Sequence, residues 1–73
     1  MNVGDRVRTI PEWTSKWGVK PLFGQIRKIA DRGPSPLHPE RTVLVGLAPD
    51  SRAELGGNHS SLWLDPADLE LVD

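Results

Sequence analysis

Trp13, Trp17 and Trp63 are three of only four aromatic residues in this chain, and the first two stand beside Lys16 and Lys20. Indoles flanked by cations suit recognition, because they supply large contact area and stack on peptide groups or nucleic-acid bases. The plainer use of Trp13 or Trp17 is as a lid folded over the open end of a small core, which a chain this short otherwise has little means to cover. Arg6 and Arg8, near the start, add two cations to a partner-binding surface made of Trp13, Trp17, Trp63, Lys16 and Lys20.

No catalytic residue is expected. Nucleophilic catalysis needs a serine or cysteine held against an oriented base, yet the chain has no cysteine, and Ser60 and Ser61 are mere sequence neighbours of His59. His38 and His59 fall in separate loops, without the close ligand spacing of a zinc site, so neither a metal nor another cofactor is expected. Gly56-Gly57-Asn58 lacks the lysine of a phosphate-binding loop and reads as turn chemistry. Asn58-His59-Ser60 matches a glycosylation triplet but reads as a polar turn. Asp65 and Asp68 are explained by helix capping rather than by paired-carboxylate chemistry. Pro34, Pro36 and Pro39 are read as stiffening a loop rather than as a proline-rich ligand.

The elements that must position these residues are short, because seven glycines and seven prolines cut the chain into pieces. Val3 to Ile10 reads as a first strand with Val3, Asp5, Val7 and Thr9 on one face, and Pro11 to Pro21 as a long loop carrying two of the tryptophans. Leu22 to Ala30 resumes extended structure; Ile26 and Ile29 share an inward face only across a bulge. A proline-rich loop over Asp31 to Arg41 leads to the clearest strand, Thr42 to Leu47, with Val43, Val45 and Leu47 in line. Ala48 to Ser60 is a loop with one helical turn, opened by Pro49, capped through Ser51 and Glu54 and closed by Gly56-Gly57. Ser61 to Leu64 is a short strand, Asp65 caps a tight helical turn, and Leu69 to Val72 is a last strand with Leu69 and Leu71 inward.

Seventy-three residues leave room for one domain over residues 1–73, whose stability rests on packing in the absence of disulfides. The opening Met1-Asn2-Val3-Gly4-Asp5-Arg6 has no apolar run of signal-peptide length, and no segment is apolar enough to span a bilayer, so a cytoplasmic location away from membranes is expected. The formal charge of -1 divides unevenly: residues 1–41 carry +4 and residues 42–73 carry -5. Such a division either pairs the two ends within one sheet, Arg6 and Arg8 against Asp68, Glu70 and Asp73, or offers a basic face to an anionic partner.

Val3-Gly4-Asp5-Arg6-Val7-Arg8, then Gly24-Gln25-Ile26 with Ile29, Val43-Leu44-Val45 and Asp68-Leu69-Glu70-Leu71-Val72 resemble the motif order of SH3-like barrels. Within that fold the opening is most similar to the electron-transport accessory group, in particular the variable chain of ferredoxin-thioredoxin reductase. The loop from Pro11-Glu12-Trp13 to Trp17 loosely resembles that of the small photosystem I subunit of the same fold. The opening is also similar to the nitrile hydratase β subunit and, more weakly, to KOW-type nucleic-acid modules. The resemblance implies an all-β, five-stranded antiparallel SH3-like barrel with a long first loop and a short helical turn before the last strand. It also implies a non-catalytic accessory subunit that docks on a partner protein. The weaker match implies a nucleic-acid module using Arg27, Lys28 and Arg32, which the sequence pI of 6.1 disfavours. The proline-rich segment over 31–41, the insertion over 48–60 and the absence of tyrosine depart from the reductase chain.

Overall fold

The computed structural model describes residues 1–72; Asp73, counted above with the acidic end, lies outside the described residues. Asn2 to Asp5 form a tight turn. Gly4 supplies a positive φ of 95°, and the Asp5 carboxylate accepts the Asn2 amide at 2.8 Å. The first strand, β1, therefore runs over Arg6–Thr9 and starts later than its apolar Val3 suggests. Val7 and Thr9 are buried and Arg6 and Arg8 are exposed, which is the expected alternation.

The segment read as a long loop begins instead with a helix, α1, over Pro11–Trp17. Proline at the first helical position is pre-set for helical φ and loses no needed donor, and Gly18, at φ 65°, ends the helix in the left-handed region. Between them the Thr14 hydroxyl donates to the Pro11 carbonyl at 2.8 Å. The backbone is irregular from Gly18 to Leu22 before entering the second strand.

That strand, β2, spans Phe23–Ile29 and β3 spans Val43–Leu47; a short helix α2 follows over Pro49–Glu54. Strand β4 is Ser61–Leu64, and a single 3₁₀ turn over Pro66–Asp68 leads into β5, Leu69–Leu71. The strands form one antiparallel sheet in the order β4-β3-β2-β1-β5. This is the expected all-β class with five strands. Among the described residues the outer strands β4 and β5 do not pair with each other.

The bulge falls where the spacing of the isoleucines requires it. Ile26 pairs with Val45 and Lys28 with Leu44, so Arg27 is the extra residue and Ile29 comes opposite Val43. Ile26 is buried as expected, but Ile29, at the end of its strand, stays 45% exposed. Leu69 is likewise buried while Leu71, opposite Val7 but on an outer strand, is 58% exposed, so the expected inward pair is only half met.

Val7, Leu22, Ile26, Val43, Val45, Leu47, Leu64 and Leu69 make the core, with Trp13, Leu55 and Leu62 packed against it. The molecule measures 28 × 27 × 23 Å, and the side chains of Trp13 from α1 and Leu55 at the end of α2 cover the apolar side of the sheet.

Two expectations about α2 separate here. Gly56 and Gly57 do close it, at φ 78° and 76°. The capping box does not form: Ala48 is the N-cap, and Ser51 is buried inside the helix, where its hydroxyl accepts the Phe23 amide at 2.8 Å. Glu54 accepts the Lys20 amide at 3.1 Å. Glu54 thus binds the connection before β2, and Ser51 the first residue of β2, rather than their own helix. Asp65 does cap its turn, accepting the Ala67 amide at 2.9 Å.

Candidate functional site

Helix α1 places Trp13 and Trp17 four residues apart, on one face, with ring centroids 6.1 Å apart and planes tilted by 43°. Trp13 packs on the core, while Trp17 is 52% exposed. The two roles weighed for these indoles are thus divided between them: Trp13 is the lid and Trp17 stands outside it. Lys16 holds its ammonium 5.9 Å from the Trp17 ring centroid, within cation–π reach.

Trp63 reaches the same place from β4. As β4 is an outer strand, side chains of both its faces border the groove at its edge, Trp63 from one and Leu62 and Leu64 from the other. All three tryptophans line this one groove of about 250 Å³, with Leu55 in its wall and Arg41 and His59 at its border. Nothing in the sequence points to Arg41, and His59 is considered there only as a base or a metal ligand, because each lies in a loop whose path only the fold reveals.

The cations expected around the indoles are distributed differently. Lys16 is beside them, and Lys20 is exposed on the connection tied to Glu54. Arg8 forms an ion pair with Glu70, its register partner on β5, so the first and last strands do join charges as one reading of the charge split expected. Arg6 borders a second concavity on the sheet together with Arg27. Lys28 lies opposite Leu44, and Arg32 is exposed in the loop after β2. The indoles thus come together, and Arg6 and Arg8 lie elsewhere.

His38 contacts Glu40 at 3.3 Å in the proline-rich loop, and His59 borders the groove. The Glu40 carboxyl is held below its ordinary value by a hydrogen bond from its own backbone, with His38 adding to the effect. Among the described residues no three His, Cys, Asp or Glu side chains gather as a metal site, and no helix is long and apolar enough to cross a membrane. No family model, known protein or solved structure matches the chain.

Proposed function

We propose that this chain is a cytoplasmic, non-catalytic interaction module, an accessory subunit that docks on a partner protein through the tryptophan groove. The observation that carries the reading is the convergence of Trp13, Trp17 and Trp63, which come from elements some fifty residues apart, on one open groove. A 73-residue chain has little apolar area with which to fold, and leaving Trp17 half outside forgoes part of it. Large indoles at a partly open apolar cleft are the residues that carry binding energy in protein interfaces.

The border defines the partner's chemistry. Arg41 at the border, with Lys16 beside the Trp17 ring, favours a carboxylate next to an apolar anchor small enough for the groove. The accessory role is the one that the sequence resemblance implies, and an open groove bordered by one edge of a small five-stranded sheet suits it.

Affinity isolation from a lysate of the source organism, with wild type and Trp17→Ala side by side, tests this. A protein retained by wild type and lost by Trp17→Ala, with the variant's unfolding temperature unchanged, is the expected result. Equal retention by the two, or no retained protein at all, removes the proposal.

A further inference from the structure

We propose that the outer face of the sheet carries a second site, for the base and phosphate of a nucleotide, built from Arg6, Phe23 and Arg27. The register places it. Gln25 lies between Arg6 on β1 and Gly46 on β3, so the three form one row across the strands. Directly opposed residues share a face, and this row is the one that points away from Val7, Ile26 and Val45.

Arg27 enters the row by an unusual route. As the extra residue of the bulge it has no cross-strand partner, and bulges re-aim the side chain they carry. Its guanidinium lies over Gly46, on the ground a side chain at that position would occupy; a Cβ there would collide with the Arg27 Nε and Cδ. The bulge and the glycine thus act together to set the Arg27 guanidinium on one side of Gln25, with Arg6 on the other. Gln25 is itself fixed, donating its amide to the Gly4 carbonyl at 2.8 Å.

Arg6, Phe23, Gln25, Arg27 and Gly46 line one concavity of about 580 Å³, within the roughly 300–1,000 Å³ typical of small-ligand clefts. Neither Arg6 nor Arg27 has an ion-pair partner among the described residues. Arg8, in the next row, neutralises Glu70, the one carboxylate that the strand register places on this face. The low overall pI therefore conceals a sheet face on which cations predominate, with Lys28 adding to Arg6 and Arg27.

Phe23 decides the ligand class. It is 42% exposed, lies across from Arg8 and sits two residues before Gln25 on the same face. A guanidinium pair alone accepts any phosphate or carboxylate, because its planar forks match both. An exposed phenyl ring beside the pair adds a platform for a flat heterocycle, and nucleotides carry heterocycle and phosphate together. The site is separate from the tryptophan groove, so loss of either leaves the other testable.

Fluorescence anisotropy of a short labelled single strand, as DNA and as RNA, tests the site at low salt, with adenosine monophosphate followed by amide NMR shifts as the second arm. Saturable binding is expected, weakening with salt at a logarithmic slope of about 1.4 if two phosphates are held. Phe23→Ala is expected to weaken it by about fivefold or more, and Arg6→Ala and Arg27→Ala to weaken it and flatten the salt slope. Trp17→Ala should leave it unchanged. Shifts at Gly24 and Gly46 with the monophosphate identify a free nucleotide as ligand; binding of the strand alone identifies a nucleotide chain. Absence of both, or equal binding of polyglutamate, or affinity insensitive to Phe23→Ala in a folded variant, overturns the proposal. Phe23→Leu, which keeps the apolar bulk, separates lost stacking from lost packing.

Discussion

Two neighbouring amides, that of Leu22 just ahead of β2 and that of Phe23 at its start, are each satisfied by a hydroxyl from a distant part of the chain. Thr9 Oγ1 accepts Leu22 N–H at 3.0 Å, and Ser51 Oγ accepts Phe23 N–H at 2.8 Å. Both hydroxyls are buried, and among the described residues no buried side-chain polar atom lacks a partner. Thr9→Val keeps the shape and removes the acceptor, so it should cost about 1–3 kcal/mol in urea unfolding, the penalty of an unpaired buried donor. Thr9→Ser should recover most of that; a Thr9→Val midpoint equal to wild type would count against the bond. These roles were not legible in the sequence, since Ser51 and Glu54 have capping-box spacing and nothing local says that the fold uses them elsewhere. A different residue-scale effect concerns acid. Glu40 has a carboxyl pKa lowered in the folded state by a backbone hydrogen bond and by His38. Its stabilising contribution is therefore present above the ordinary glutamate range and lost as pH falls through the lowered folded value. An NMR titration should place the Glu40 midpoint below that of an unstructured glutamate.

At the scale of elements, the strands are more legible in the sequence than the helices. β3 and β4 stand almost where alternation puts them, because branched and apolar residues at period two state both the strand and its inner face. The bulge in β2 was legible for the same reason: two isoleucines three apart cannot share a face without an extra residue, and Arg27 is that residue. Helix α1 is not legible as a helix, although its ends are written in the chain. Pro11 and Gly18 bracket it in the order that helices favour, but two prolines and a glycine within eleven residues equally describe a loop. What fixes the helix is tertiary, the packing of Trp13 on the core. Trp13→Ala should accordingly lower stability by about 2–3 kcal/mol, somewhat under the full cost of truncating a buried indole, and Trp17→Ala by less than about 1 kcal/mol, as for a surface residue. Gly18→Ala should cost about 1 kcal/mol through its left-handed conformation. Thermal and urea unfolding of the three variants check the ranking, and equal losses at positions 13 and 17 would contradict the division between lid and exposed indole.

For the whole molecule, the arithmetic of size sets how much damage the fold tolerates. A domain of this length has a stability of roughly 4–11 kcal/mol, and its apolar core rests on eight buried side chains among the described residues. Leu22 is the sharpest test, being 2% exposed and immediately ahead of β2, at the point where β1 and α2 also meet the strand. Leu22→Ala should cost about 2–5 kcal/mol, which takes a domain at the low end of that range to its unfolding midpoint near room temperature. Leu71→Ala is the control. The alternation in the sequence gives Leu69 and Leu71 the same inward direction, but direction is local and cover is global: β5 is an outer strand, and Leu71 keeps 58% of its surface in water. Its truncation should shift stability by no more than about 0.5 kcal/mol. Circular dichroism during urea unfolding of both variants reads the difference directly. A large loss at Leu71 would mean that β5 is covered in solution, as a closed barrel would cover it, whereas a silent Leu71 beside a collapsing Leu22 would show that the sheet keeps this outer strand open.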